Sequence, residues 1–254
     1  MVLQQDTSLK LINTIEERSA LLKQYGIDHV VVQPFTKEFS RMTAVEFVRD
    51  ILVNKLKAEK VVVGYDHRFG RNRTASIKEL IEFGQTFDFE VGRIEPQEIN
   101  NVSVSSTKIR NALDIGDIHT ANAYLGYEFT ITGTVTKGRA LGRTIGFPTA
   151  NLHIEERYKM IPANGVYVVR SMIDGAEQYG MMNIGVKPTV DGTKRSIEVH
   201  FFNFDGDLYD KRIAVCILQR LREEKDFKYV DRLREQLVQD EKQAKQFIAQ
   251  HYGR

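Results

Sequence analysis

The chain has 254 residues with 36 basic against 34 acidic side chains, long enough for one or two domains with proper cores and too evenly charged for an extended nucleic-acid track. One cysteine, Cys216, excludes an intramolecular disulfide and a multi-cysteine metal site, which suits a reducing cytoplasm. No apolar run approaches the roughly 20 residues that cross a bilayer, and Met1 to Lys10 lacks the apolar stretch of a signal peptide, so neither membrane nor export is expected.

In chain order, Asn13-x-x-Glu16 reads as a capping box opening a helix that ends near Gly26, followed by a short β-branched strand over 29–33. Thr43-x-x-Glu46 opens a second helix to about residue 56, and 60–64 is an apolar strand of the buried type. A helix over 76–83, a strand near 89–94 and a helix from Ser105-Ser106-Thr107 to about Gly116 complete the half. Alternating helix and strand predicts a parallel sheet with helices on its faces. Ligands bind such sheets beyond the carboxyl ends of the strands, where two stretches fall. Gly64-Tyr65-Asp66-His67-Arg68-Phe69-Gly70 follows a strand directly, and Ser105-Ser106-Thr107-Lys108-Ile109-Arg110 offers hydroxyls and backbone N–H groups to phosphate at a helix start. Taken alone, the first is equally an ordinary turn and the second an ordinary N-cap.

After Gly126 the texture changes. Residues 127–135, 165–172, 178–184, 196–202 and 212–218 are short segments rich in β-branched and aromatic side chains, bounded by Gly, Pro, Asp or Asn. Asp174-Gly175 and Asp205-Gly206 read as hairpin turns, and the spacing predicts a small antiparallel barrel. A closing helix over 229–250 carries the apolar stripe Val230, Leu233, Leu237, Ala244, Phe247 and Ile248.

Within the second half the run from Gly133 to Asn151 interleaves four glycines with Lys137, Arg139 and Arg143 and ends in Phe147-Pro148-Thr149-Ala150-Asn151. Glycine lets backbone N–H groups turn toward an anion, the basic residues supply charge, and a hydroxyl beside an amide carbonyl suits a hard cation such as Mg²⁺. If the segment after Pro148 is extended, Thr149 and Asn151 point to one side. The same composition also describes a hairpin loop with a solvated basic tip. On a later strand, Ser196-Ile197-Glu198-Val199-His200 puts Glu198 and His200 on one face, where Glu198 is either a base or an exposed salt-bridge member.

The run Gly133-x-Val135-x-x-Gly138-x-x-Leu141-Gly142-Arg143-x-x-Gly146-Phe147-Pro148-Thr149-Ala150-Asn151 closely resembles the signature of riboflavin kinases, as found in the C-terminal half of bacterial bifunctional riboflavin kinase/FAD synthetases. The resemblance implies a six-stranded kinase barrel over 126–254 that phosphorylates riboflavin with ATP to give FMN. It implies ATP-phosphate contacts from Gly133, Lys137, Gly138, Arg139, Gly142, Arg143 and Thr149, Mg²⁺ on Thr149 and Asn151, and Glu198 as base. Asn183-x-Gly185-x-x-Pro188-Thr189 also matches and implies a loop near the site. Leu221-Arg222-x-Glu224-x-x-Phe227 resembles the segment that closes over the flavin, with Arg222 on phosphate or ring, or else in a surface salt bridge with Glu224.

Residues 1–125 are similar to the FAD synthetase half of those enzymes, a nucleotidyltransferase domain, with Gly64, Asp66, Ser105, Ser106, Thr107 and Arg110 at the matching positions. The glycine-rich part departs from the pattern: Tyr65 stands for an acid, His67 for Phe, and Ala75 for Gly at a site of close backbone approach. The family's His-x-Gly-His motif does not appear among the six histidines, none of which lie two or three apart. The chain starts, on this reading, at the helix after the family's first two strands. FAD synthesis is accordingly doubtful, and the partial sheet has an edge that a partner chain could cover. Two other functions stay open: a bifunctional enzyme whose first strands lie outside this sequence, and a catalytically silent flavin-binding protein.

Overall fold

A computed structural model of the chain describes residues 10–96, 98–99, 102–138, 141–189 and 192–253. Of these, 28–104 form one compact unit and 10–27 with 105–253 form another. Helix α1 (Ile15–Gln24) therefore belongs to the second unit, although it precedes the first in sequence.

In the first unit, α2 (Lys37–Arg41) is capped by Thr36, and α3 (Ala44–Glu46) runs on as a π-helical stretch over Phe47–Lys55. The capping box read at Thr43 and Glu46 forms, with the Thr43 amide donating to Glu46 Oε2 at 2.8 Å. Strand β1 (Lys60–Gly64), helix α4 (Ile77–Phe87) and strand β2 (Glu90–Ile94) make a parallel pair in the register Lys60↔Glu90 to Gly64↔Ile94. A short antiparallel ribbon, β3 (Glu98–Ile99) with β4 (Val102–Ser103), follows. Val48, Phe69, Ala75, Leu80 and Phe89 form the core. Ser76 caps α4 and bonds Glu79, whose carboxyl those bonds depress to about 2.

The strand expected over 29–33 does not form. Val30, Val31 and Val32 are 42, 66 and 56% exposed and join no ladder among the described residues. β-Branched residues favour a strand only where a neighbouring strand and a covered face are offered, so their propensity finds nothing to act on.

The second unit is a closed barrel. Its strands are β5 (Thr130–Thr136), β6 (Ala150–His153), β7 (Gly165–Ile173), β8 (Ala176–Thr189), β9 (Gly192–Phe201) and β10 (Arg212–Arg222), in the order β10-β5-β6-β9-β8-β7. Every pairing around it is antiparallel. Ile213, Val215 and Ile217 of β10 are buried on one face, while Leu218 packs from the other against Ala244 and Ile248 of helix α8 (Val230–Tyr252). Alternation along that strand thus divides barrel interior from helix-covered exterior. Asp174 and Gly175, both with positive φ, make the two-residue turn between β7 and β8, as their pairing predicts.

Five further details differ from the sequence reading. Asp205-Gly206 is not a hairpin turn: it lies in the connection from β9 to β10, strands that are not neighbours in the barrel. The motif from Asn183 to Thr189 is strand backbone in β8, paired with β9, where a loop was expected. β6 was not counted as a strand, and helix α6 (Ile118–Leu125), which follows α5 (Ser106–Ile115), was not read at all. Finally, the first capping box is Thr14 with Glu17, one residue beyond the expected Asn13 and Glu16. That shift frees Asn13 to accept from the Tyr127 hydroxyl and Glu16 to pair with Arg212, and it turns Glu17 inward.

Inward, Glu17 meets Lys159. The two are essentially without solvent exposure, with Lys159 Nζ 2.5 Å from Glu17 Oε2. Nζ also donates to the carbonyls of Ile12 and Thr130 at 2.7 Å each and lies 4.4 Å from the centre of the Phe129 ring. Glu17 in turn accepts from the amides of Thr14 and Thr132. Burial pushes the Lys159 ammonium below its usual pKa despite the carboxylate beside it. The cluster fastens α1 to the barrel.

Candidate active site

The strap from β5 to β6 carries most of the signature. It leaves β5 at Thr136, passes Lys137 and Gly138, and re-forms as helix α7 (Leu141–Thr144) before Gly146, whose φ is +86°. Arg139 lies outside the described residues. Two glycines matter here for room, not for φ. A Cβ on Gly142 would collide with the Phe147 carbonyl, and one on Gly138 with the Asn151 carboxamide. Gly138 is thus the surface against which the Asn151 side chain rests. A Gly138→Ala variant is expected to fold and to push the Asn151 carboxamide from its place, which a crystal structure of the variant checks. An unmoved Asn151 side chain in that variant would refute the packing argument.

Beyond the strap, Phe147 is buried and Pro148 leads into β6. The His200 ring nitrogen Nδ1 lies 2.8 Å from the Pro148 carbonyl, tying the strap to β9. The registers set three polar residues in one row across adjacent strands: Asn151 of β6 opposite Glu198 of β9, and Glu198 opposite Asn183 of β8. Directly opposed residues of antiparallel strands share a face with Cβ atoms about 4.5–5.5 Å apart. Just before β6, Thr149 donates its hydroxyl to Glu198 Oε2 at 3.2 Å. Glu198, distant in sequence, is therefore gathered beside Thr149 and Asn151.

Two cavities flank that point. The larger, about 320 Å³, is lined by Thr149, Asn183 and Glu198 and by apolar side chains including Phe147, Val166, Met181, Phe227, Leu233 and Leu237. The smaller, about 90 Å³, lies among Val135, Pro148, Phe201, Phe204, Leu208 and Tyr209. Thr149 lines both. Gly142 reaches the larger cavity; Lys137 and Arg143 are exposed on the strap, and Gly133 sits within β5 against the backbone of His153.

Arg222 borders the larger cavity, but its ion pair is not with Glu224. Its guanidinium grips both carboxylate oxygens of Asp240 on α8, at 2.9 Å from Nε to Oδ1 and 2.7 Å from Nη2 to Oδ2. Asp240 is fully buried. Glu224 instead accepts from the Val186 amide and the Asn164 carboxamide, closing over Gly185 so tightly that no Cβ fits there. The sequence held a sign of this: Asp240 falls between Leu237 and Ala244 at helical spacing, on the inward face, where a charge requires a partner.

The remaining predicted positions divide between the two units. Gly64 ends β1 in the first unit, and the exposed Asp66 follows it. In the second, Ser105 caps α5 by accepting from the Lys108 amide, Ser106 and Thr107 are exposed on its first turn, and Arg110 donates to the Lys10 carbonyl. Ala75 is buried, its backbone bonded both ways to Phe69. Its methyl belongs to the first unit's core.

Among the described residues no group of three or more His, Cys, Asp or Glu side chains is placed to hold a metal, and no helix is long and apolar enough to cross a membrane. The riboflavin kinase family model matches residues 125–248, and that of FAD synthetase matches 1–108. A bifunctional riboflavin kinase/FMN adenylyltransferase of Escherichia coli is 35% identical over 93% of this chain and 75% of its own length. One from Pseudomonas fluorescens is 40% identical, over 82% of this chain and 67% of its own. A crystal structure described as a macrolide-efflux protein from Streptococcus pneumoniae superposes with a TM-score of 0.82 at 35% identity, covering 92% of this chain and 75% of that one. The strap, the barrel and these relatives agree: the chain belongs to the family of bifunctional riboflavin kinase/FMN adenylyltransferases.

Proposed function

We propose that the chain is a riboflavin kinase, with the activity carried by the barrel of residues 126–254, and that ATP and riboflavin meet at Thr149. The observation that carries the reading is that one hydroxyl borders two cavities and bonds the Glu198 carboxylate of the neighbouring strand. A kinase holds its two substrates on either side of the transferred group. The larger cavity suits an amphiphile, an apolar ring system with a hydroxylated tail, because its lining mixes apolar walls with Thr149, Asn183 and Glu198. The smaller one, floored by aromatic and aliphatic side chains beside the strap, suits the nucleotide.

Glu198 takes the proton of the terminal ribityl hydroxyl as that oxygen bonds to the γ-phosphorus, and the bond to the β-phosphate bridging oxygen breaks to release ADP. Thr149 keeps the carboxylate oriented by donating to it. Gly138 holds Asn151 in place, while Lys137 and Arg143 on the exposed strap offer cationic charge to the phosphates. Thr149 Oγ1 and Asn151 Oδ1 are hard neutral oxygens on one side of an extended segment, a donor set that fits Mg²⁺. Mg²⁺ bound there supplies positive charge to the phosphate oxygens.

The first unit does not form FAD on this reading. No two histidines stand two or three apart, and the Ala75 methyl is buried where the FAD synthetases it resembles usually have glycine. The match of residues 1–108 to FAD synthetase favours the rival reading, a bifunctional enzyme. One reaction separates them. With ATP, Mg²⁺ and riboflavin, FMN accumulates without FAD; FAD in the product mixture refutes the single-activity reading, and neither flavin refutes the kinase.

A further inference from the structure

The kinase reading leaves two polar side chains of the flavin cavity without an assignment, Lys225 at the start of the segment before α8 and Asn183 beside the base. Thr149 and Glu198 serve the reacting hydroxyl. His200 is held by Pro148, Arg222 by Asp240, and the Glu224 carboxylate by Val186 and Asn164. Asn183 lines the same cavity directly opposite Glu198, on the side of that carboxylate away from Asn151. Among the described residues its carboxamide takes no hydrogen-bond partner. A half-buried amide facing a cavity beside a base, and bound to nothing in the fold, is placed to bind a ligand.

We propose that Asn183 is a specificity-determining residue, reading the hydroxyls next to the one that is phosphorylated, so that the enzyme selects a polyol tail over a plain terminal alcohol. The inference rests on the kinase reading. Its chemistry follows from the row itself. Glu198 binds the terminal hydroxyl and accepts only; Asn183, one strand further and about 5 Å away, both donates and accepts, as a secondary hydroxyl needs. Hydroxyl oxygens on adjacent polyol carbons stand roughly half that distance apart, so a chain reaching Glu198 lays an inner hydroxyl against the amide. An acceptor lacking inner hydroxyls leaves the amide unsatisfied in a cavity that has lost its water, which penalises it.

The test pairs the full-length chain with two acceptors: riboflavin, and a hydroxypentyl flavin that keeps the terminal hydroxyl and lacks the others. For the wild type, kcat/KM should favour riboflavin. Asn183→Ala should lower kcat/KM for riboflavin on the order of 3- to 10-fold, the worth of one or two neutral hydrogen bonds, mainly through the KM of riboflavin. The same variant should handle the hydroxypentyl flavin at least as well as the wild type does, because the unsatisfied amide is gone, which also reports that the cavity is intact. Equal losses on both acceptors, or no loss on riboflavin, overturn the assignment to Asn183 while leaving the kinase standing. A wild type that phosphorylates neither flavin removes the kinase reading, and this inference with it.

Discussion

Glu198→Gln is expected to leave riboflavin binding within a few-fold of wild type and to cut FMN formation by about 10²- to 10⁴-fold. The substitution changes one atom. Glutamine keeps the length of the side chain, its place on β9 opposite Asn151 and Asn183, and an oxygen that accepts from Thr149. It cannot take the proton. Binding is read by quenching of flavin fluorescence and turnover by separating FMN from riboflavin. Because the two readouts are independent, a folding defect, which would lower both, is told apart from the loss of a base. Turnover at the wild-type rate would end the assignment of Glu198.

The second large effect concerns stability and lies far from any cavity. Lys159→Ala leaves the Glu17 carboxylate buried with no cation, and breaking such a pair typically costs about 3–5 kcal/mol. For a unit of this size that corresponds to a fall in Tm of roughly 6–20 °C. Lys159→Met with Glu17→Leu together should recover only part of it. Removing both charges removes the isolated ion, but the carbonyls of Ile12 and Thr130 and the amides of Thr14 and Thr132 then lose their partners. Differential scanning calorimetry of the three proteins measures both steps. A single variant that melts with the wild type would mean that water reaches Glu17, contrary to its burial.

Much of the barrel was legible because each strand carries its own evidence, in alternation and in the turn residues between strands. The tight turn at Asp174-Gly175 and the divided faces of β10 are of that kind. Asp205-Gly206 misled because a turn dipeptide marks a reversal without saying which strands it joins. β6 escaped count because its four residues lie inside a motif read for its oxygens. In the first half, the valines at 30–32 and 61–63 have the same local character, yet only the second group is in a strand. The difference is a neighbour at β2, which no local pattern contains. The convergence of Thr149, Asn151 and Glu198 was legible only through the family signature, since strand register across about fifty residues is a tertiary fact. Asn183 was visible as part of a motif, but its place beside Glu198 required the register of β8 on β9.

Helix α1 has a consequence for how the chain can be divided. Residues 28–104 are threaded between two stretches of one compact body, leaving it after Ile27 and returning at Ser105. The polypeptide makes a detour, then, and is not two beads joined by a single tether. A truncated kinase begun at residue 126 would carry Lys159 with its counter-ion amputated, along with the α6 side chain Asn122 that donates to Ile217 and accepts from Phe129. The smallest autonomous form of the enzyme would be obtained by excising the detour and splicing its two ends.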